Sequence, residues 1–266
     1  MTPFEHASRA TRGARSYQED TATVWPGPDP SGSGTGANGS QPGELVAILA
    51  DGMGGHAGGA LASRMVCEAF LGAYQSHEGT RRERLVAALK AANEAIAATV
   101  SANPLLSGMG STLIGAAFGP DGVEWVSVGD SPLMLYRRGE IALLNEDHSL
   151  APELDRLAAA GRMSEEEARR DPRRHMLRSA VTGEDIDLVD LSRRPLEIEP
   201  GDYIILASDG LQTLESSEIG RVVSAYASDG ASAVANALIR AVEAVRDPHQ
   251  DNATVVAVRP LPGAQS

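Results

Sequence analysis

The stretch "LVAILADGMGGHAGG", residues 45–59, joins an apolar run to a glycine-rich segment through one aspartate. The six apolar residues have the length and composition of a buried strand. Five of the eight residues after Asp51 are glycine, which predicts a backbone that turns tightly or approaches another group closely. The Asp51 carboxylate then sits at a strand end, facing a ligand. Two kinds of site stay open: a phosphate-cradling loop, or one corner of a metal site.

The composition predicts a cytoplasmic protein with a core of aliphatic residues. The chain has 266 residues, of which 42% are hydrophobic but only 4% aromatic. Its net charge of −13 argues against nucleic acid as a partner. One cysteine, Cys67, excludes an internal disulfide and fits a reducing compartment. The first residues lack the apolar stretch of a signal peptide, and no window approaches the ~20 apolar residues of a membrane span, so we expect no membrane association.

Three segments stand apart from the core of what we expect to be a single domain, 1–266. Residues 26–43, "PGPDPSGSGTGANGSQPG", are rich in Pro, Gly and Ser and predict a flexible surface loop between two strands. Residues 149–185 are charged, and we expect them to be helical or irregular. Residues 261–266 are predicted to form a frayed tail.

The order of the predicted elements favours an α+β fold with antiparallel sheets. Helices are predicted over 60–75, 85–100 and 234–245, and Asn103-Pro104 ends the second of them. Strand-like runs such as "VEWVSVG" and "PLMLYRR" come in consecutive groups, with turns that suit hairpins. The strict alternation of strand and helix that produces a parallel sheet is absent. We therefore expect antiparallel sheets covered by antiparallel helix pairs.

Acidic residues recur where the predicted strands meet loops, and they are Glu19, Asp20, Asp51, Asp130, Asp209 and Asp251. Two of these places, 46–52 and 204–210, repeat the same pattern of apolar run, Ala or Ser, Asp and Gly. Converging carboxylates repel one another unless a cation compensates. An all-oxygen ligand set favours Mg²⁺ or Mn²⁺, and two such ions roughly 3.5–4 Å apart can activate a bridging water.

A nucleotide site is the competing interpretation of the glycine segment. Gly52-x-Gly54-x-x-Ala57 satisfies the dinucleotide-binding pattern between a strand and a helix. That fingerprint requires a βαβ unit, whereas a helix pair is predicted here. An aspartate directly before the first glycine would also repel a pyrophosphate unless a cation lay between them.

Arg15 offers a phosphate-binding cation on this acidic chain. It lies four residues before Glu19, and a guanidinium group can bind phosphate oxygens bidentately. A solvated surface arginine is the alternative.

Taken together, the short motifs resemble the PPM-type, or type 2C, metal-dependent Ser/Thr protein phosphatases in their compact bacterial form. The resemblance spans residues 5–259, and its specificity comes from the order of the motifs. They are "RSYQED" (15–20), "ADGMGGHAGG" (50–59), "GSTL" (110–113), "VGDS" (128–131), "DHS" (147–149), "SDGL" (208–211) and "DNATVVAV" (251–258).

The resemblance implies a four-layer α/β/β/α sandwich with its site at one edge between two antiparallel sheets. It implies that Asp51 bridges two metal ions and that 149–185 is a mobile flap beside the site. Arg15 matches the phosphate-binding arginine. The remaining implied metal ligands are Asp20, Glu19, the carbonyl of Gly52, Asp209 and Asp251, with Asp130 holding a third ion.

Three departures from the family pattern bear on the site. Gln18 stands where Asn is usual, which keeps the amide chemistry. Pro132 replaces a common Arg near the third-metal region and weakens the assignment of Asp130. Met53 stands where eukaryotic members often have a histidine that is the proposed general acid, so a metal-bound water or another group must donate that proton. His56 is a nearby candidate, and its alternative is a structural or solvated role.

The resemblance implies hydrolysis of phosphoserine and phosphothreonine by direct attack of a metal-bridging water, which reverses Ser/Thr kinase signalling. The implied cofactors are two Mn²⁺ or Mg²⁺ ions, with a third at Asp130. The expected partners are phosphorylated proteins, and we expect a monomer. Two alternatives stay open: a regulatory module that keeps the fold without catalysis, and a dinucleotide-dependent enzyme.

Overall fold

The computed structural model describes residues 3–27, 43–55 and 57–261. Most of the predicted loop over 26–43 therefore lies outside the described residues, as do His56 and the tail beyond residue 261. Every strand pair recorded within the described residues is antiparallel.

The described strands are short and mostly apolar. In chain order they are β1 (Phe4–Thr11), β2 (Asp20–Trp25), β3 (Leu45–Met53), β4 (Gly110–Ser111), β5 (Leu113–Gly119), β6 (Gly122–Val128), β7 (Leu133–Arg137), β8 (Glu140–Leu143), β9 (Asp190–Leu191), β10 (Tyr203–Ala207) and β11 (Ala253–Pro260).

Helices occur in three sequential pairs along the described chain. They are α1 (Ala57–Ser76), α2 (Arg81–Ala102), α3 (Ala151–Ala159), α4 (Glu165–Arg170), α5 (Ser216–Tyr226) and α6 (Ala231–Val245), with short 3₁₀ turns at Pro104–Leu106, Asp209–Thr213 and Ala227–Asp229.

Two sheets form the centre of the molecule. One has the order β1-β11-β10-β7-β8, and the other β2-β3-β5-β6-β9, with β4 pairing β3 beside it. The first six residues of β3 are fully buried. Both faces of this strand are covered, and a strand buried on both faces is a continuous apolar run rather than an alternating one.

Three apolar clusters fill the spaces between four layers. Phe70 belongs to the cluster under α1 and α2, and Leu238 belongs to the one under α5 and α6. The third cluster, which includes Leu49 and Ile204, packs the two sheets against each other. This confirms the four-layer α/β/β/α sandwich.

Helix α2 differs from one expectation. No segment long and apolar enough to span a membrane was predicted, but α2 meets that test by length and composition, with a window of mean hydropathy 1.2 that is 28% buried. One face of this helix packs into the core through Leu85 and Ile96. Its first turn is anchored by Arg84, which binds the buried Glu44 at 2.9 Å. Length and composition by themselves are weak evidence for a membrane span.

Most predicted elements are confirmed with shifted ends, and the longest additions are one strand and one helix. The predicted helix over 60–75 extends over Ala57–Ser76, and the helix predicted before Asn103 ends there as expected. Strand β1 and helix α5 were not predicted. The sequence of β1, "FEHASRAT", is too polar to show an apolar strand pattern. The strand forms because it pairs with β11 along its whole length.

Packing between the two sheets should contribute strongly to the stability of this fold. We expect Ile204→Ala, at a fully buried position between the sheets, to lower the free energy of unfolding by about 2–5 kcal/mol, because it leaves a cavity. Urea unfolding followed by circular dichroism measures this. Val86→Ala is the control, since Val86 is 46% exposed on α2 and should change stability by less than about 0.5 kcal/mol. Equal effects of the two changes would contradict this account of the core.

Candidate metal centre

Strand pairing sets the first two carboxylates side by side. The antiparallel register of β2 and β3 puts Asp20 opposite Asp51. Strand β3 continues past Asp51, where a strand end was predicted, because Gly52 and Met53 pair with β4. The Asp51 N–H donates to Thr112 Oγ1 at 3.0 Å. The backbone of Asp51 is therefore fixed both by strand pairing and by the hydrogen bond to Thr112.

The glycines after this aspartate serve close packing of the chain on itself. A Cβ on Gly52 would lie 2.1 Å from Gly59 O and 2.6 Å from Glu19 O. The Gly52 N–H donates to Glu19 O at 3.1 Å, which places Glu19 beside the strand end. Strand β3 is followed by the helix pair α1 and α2 and pairs antiparallel with β5. These features favour a metal corner over the phosphate cradle and the dinucleotide site considered from the sequence.

The other sheet brings Asp209 and Asp251 to the same place. Asp209 begins the 3₁₀ turn after β10, and Asp251 lies just before β11, the neighbouring strand. A Cβ on Gly210 would lie 2.0 Å from Asn252 O, so the two connections are in direct contact. The glycine after each aspartate of the repeated pattern thus permits a close backbone approach.

These groups line one cavity of about 660 Å³ at the edge of both sheets. Its other wall is formed by the flap-like segment through residues 175–180. Asp20 lies in the surrounding protein, 8% exposed, and interacts with Asp51. The predicted site residues that line the cavity are Arg15, Glu19, Asp51, Gly52, Asp130, Asp209 and Asp251.

Burial and mutual repulsion disfavour ionisation of these carboxyl groups. Burial, followed by the nearby charges of Asp20 and Asp209, raises the pKa of Asp51 well above its usual value. Burial raises the pKa of Asp20 from 3.8 to about 6, although hydrogen bonds oppose the shift. Burial, with Asp209 close by, raises the pKa of Asp130 to about 7. The carboxyl group of Asp51 also interacts directly with Asp20 and with Asp209, so the three groups form one electrostatic unit.

The acidic side chains of this site are suited to bind divalent cations, although they are not arranged as a complete coordination shell. Among the described residues, no group of three or more His, Cys, Asp or Glu side chains has the geometry of a ready metal site. Two oxygens, Glu19 Oε1 and Asp20 Oδ1, are nevertheless buried without a hydrogen-bond partner. A buried carboxylate oxygen is costly unless a proton, a donor or a cation meets it. Mg²⁺ and Mn²⁺ prefer such oxygen ligands.

Arg15 lies at the cavity wall with its side chain 53% exposed. Its Nη2 donates to Asp251 Oδ2 at 2.5 Å, so one face of the guanidinium is anchored by a predicted metal ligand. The exposed remainder can reach a ligand in the cavity. Arg15 is thus a largely exposed arginine at the cavity wall, and its role in binding phosphate stays a prediction.

Asp130 joins the site through the loop between β6 and β7. That loop is held by His148, whose Nδ1 accepts the Gly129 N–H at 3.2 Å. Burial lowers the pKa of His148, which keeps the imidazole in the accepting form. Pro132, the departure from the family pattern, lies directly before β7, and its carbonyl accepts the Ala207 N–H at 3.0 Å. His148 thus supports the loop that carries Asp130.

The structure gives no proton donor at Met53, whose Cε packs against Gly110. His56, the nearby candidate, lies outside the described residues. His175, for which the sequence carried no signal, lines the cavity from the flap-like segment. Among the described residues, His175 is the only histidine that lines this cavity.

Sequence reasoning missed the polar residues that support the carboxylates. Asn252, 3% exposed, accepts the Glu19 N–H at 2.7 Å and donates to Arg12 O and Tyr17 O at 2.9 and 3.0 Å. It thereby shapes the loop that carries Arg15. Buried polar residues inside or next to apolar strand sequences were the available signal, and Thr112, Ser208 and Thr254 are of the same kind.

Comparison with known proteins identifies the family. The family model for protein phosphatase 2C matches residues 35–238, well over half of the chain. The chain belongs to the protein phosphatase 2C family. This confirms the resemblance drawn from the motifs and their order.

Two similar relatives of this phosphatase 2C chain are bacterial. The serine/threonine protein phosphatase PstP of Mycobacterium tuberculosis is 35% identical over 215 residues, which cover 80% of this chain but 40% of PstP. The chain therefore spans less than half the length of that relative. The serine/threonine phosphatase stp of Listeria welshimeri is 32% identical over 217 residues, covering 77% of each chain.

Solved structures of phosphatase 2C proteins share the fold. The crystal structure of the Mycobacterium tuberculosis phosphatase PstP/Ppp has a TM-score of 0.74 and 31% identity, covering 97% of this chain and 99% of that one. The PstP catalytic domain in complex with two manganese ions has a TM-score of 0.72 and 30% identity, covering 97% and 98%.

The raised carboxyl pKa values predict an unusual pH dependence of stability in the presence of a chelator. Carboxyl groups with a raised pKa bind more protons in the folded state than in the unfolded state between about pH 4 and pH 7. Stability is therefore full below the unfolded pKa and is lost as the pH rises through the folded pKa values of about 6 for Asp20 and about 7 for Asp130. We expect the melting temperature to fall across this window with chelator and to fall much less with Mn²⁺.

Differential scanning fluorimetry over that pH range measures the effect. Asp51→Asn is the control, because it removes one repelling carboxyl group and should make the decline shallower. A melting temperature that rises with pH in chelator would contradict the electrostatic description of this centre.

Proposed function

We propose that this protein is a metal-dependent protein serine/threonine phosphatase. The observation that carries the proposal is the convergence of Asp51 and Asp209 from two sheets at one cavity, with Arg15 at its wall and Asp20 buried beside Asp51. Carboxylates alone would repel a phosphorylated side chain, whereas carboxylates that hold divalent cations attract it. Membership of the protein phosphatase 2C family and the named bacterial relatives support the same activity.

The ligand assignment follows the positions of the oxygens. Asp51 would be shared between two cations, because it interacts with groups from both sheets. Mn²⁺ or Mg²⁺ at this place would lower the pKa of water and neutralise phosphoryl charge. The residues proposed to hold the ions are Asp20, Glu19, Asp51, the Gly52 carbonyl, Asp209 and Asp251, with Asp130 for a third ion.

The chain's own residues orient the substrate. Arg15 presents its exposed guanidinium face to two phosphoryl oxygens while Asp251 holds the other face. Bidentate, charge-assisted hydrogen bonds of this kind fix both position and orientation. The Thr112 hydroxyl accepts from the backbone N–H of Asp51, which helps to fix the backbone that carries the central carboxyl group.

We propose phosphoserine and phosphothreonine side chains of proteins as the substrates. The cavity is bounded on one side by the flap-like segment, where His175, Met176 and Arg178 are exposed. This wall can contact the peptide around the phosphorylated residue. The proposal includes a Ser/Thr kinase as the source of the substrates, a role in signal transduction, a cytoplasmic location and a monomeric state.

Release of phosphate from a phosphothreonine peptide tests the activity. We expect release that depends on Mn²⁺ or Mg²⁺ and stops with chelator, because the carboxylates then have no cation to share. A malachite-green assay measures free phosphate, and calorimetry measures metal binding in parallel. Metal binding without release would favour the regulatory module, and NAD(H) binding would favour the dinucleotide enzyme.

Asp209→Asn tests the ligand assignment directly. We expect turnover to fall by at least about 10²-fold while the far-UV circular dichroism stays unchanged, because one charged oxygen ligand is lost without loss of volume. Asp229→Asn, at the end of the 3₁₀ turn after α5 and away from the cavity-lining residues, is the matched control and should keep wild-type turnover. Retained activity in the Asp209 variant would remove this residue from the centre.

A further inference from the structure

Asp20 connects the two sheets through a pair of buried hydroxyl groups. It is the first residue of β2, whereas Ser208 follows β10 and Thr254 lies on β11, in the other sheet. The hydroxyls of Ser208 and Thr254 each donate to Asp20 Oδ2 at 2.7 Å. Ser208 is fully buried and Thr254 is 3% exposed.

The direction of these hydrogen bonds is fixed by their surroundings. Ser208 Oγ accepts the Thr254 N–H at 2.9 Å, so the serine proton is left to point away from that backbone. The other acceptor near it, Asn252 O, is at 3.5 Å, much farther than Asp20 Oδ2. The serine is also tied through its own N–H, which donates to Thr254 O at 3.0 Å. The Ser208 hydroxyl is therefore directed to Asp20 Oδ2, the same oxygen to which the Thr254 hydroxyl donates.

The two oxygens of Asp20 are consequently unequal. Oδ2 accepts two hydrogen bonds, and Oδ1 is buried with no partner among the described residues. Two donors on one oxygen fix the rotation of the carboxyl plane. The unpartnered oxygen belongs to a group that interacts with Asp51, the residue at the middle of the candidate centre.

We infer that Ser208 and Thr254 are positioning residues that orient Asp20 so that Oδ1 serves the metal centre. The inference rests on the proposed function, because it requires that divalent cations bind here. It also assigns a reason for polar residues at the ends of two apolar strands. The hydroxyl pair keeps a ligand from one sheet in register with Asp209 and Asp251 from the other.

Manganese affinity of hydroxyl-deletion variants tests this role. We expect Ser208→Ala and Thr254→Val each to weaken Mn²⁺ binding about 10–100-fold, the usual effect of losing a group that orients a ligand. Isothermal titration calorimetry of the full chain with MnCl₂ measures it. Thr254→Ser keeps the hydroxyl and should restore affinity close to that of the wild type.

Ser63→Ala is the matched control. Ser63 is fully buried, and its hydroxyl is bonded to Thr21 Oγ1 at 2.9 Å, one residue from Asp20. Its loss removes a buried hydroxyl group from the same region without touching a carboxylate. We expect unchanged Mn²⁺ affinity in this variant.

A second readout separates positioning from general stability. With saturating Mn²⁺, phosphate release by Ser208→Ala should approach the wild-type rate, while the Mn²⁺ concentration for half-maximal activity rises 10–100-fold. Variants that lose melting temperature in chelator but keep the wild-type Mn²⁺ affinity would overturn the inference. Unchanged affinity in Ser208→Ala would do so even if Thr254→Val did not fold. Failure of the wild-type chain to bind Mn²⁺ would overturn the proposed function as well.

Discussion

The burial of several carboxyl groups together at the junction of two sheets is the constraint on which the candidate centre depends. Asp20 and Asp51 come from one sheet, and Asp209 and Asp251 from connections of the other. Folding the sandwich forces these groups together and away from water, which raises the pKa of Asp20, Asp51 and Asp209. A cation at this junction relieves the repulsion, so the fold and the proposed chemistry depend on the same interaction.

The surrounding protein offsets this cost with neutral donors and one arginine. Hydroxyl groups of Ser208 and Thr254 donate to Asp20, and the guanidinium of Arg15 binds Asp251. Neutral donors stabilise a carboxylate without competing with a metal ion for its free oxygen. Arginine at the cavity wall adds the positive charge that a phosphoryl group requires.

Precise packing of backbone on backbone sets the distances in the centre. Gly52 and Gly210 each follow an aspartate, and each lies where a side chain would collide with a carbonyl oxygen of a neighbouring segment. The inter-sheet cluster that includes Leu49 and Ile204 then holds the two sheets at one spacing. The geometry of the carboxylates is therefore a consequence of the core, and a loosened core should loosen the centre.

The sequence by itself determined the motif order, the antiparallel strand groups and the residues of the centre, because apolar runs and Asp-Gly ends are local features. Strand β1 escaped prediction since its pairing partner is 242 or more residues away in sequence, at β11. Tertiary structure alone decided that Ser208, Thr254 and Asn252 support the carboxylates. Hydrogen bonds between distant segments leave no periodic trace in sequence, because they depend on where the two sheets meet.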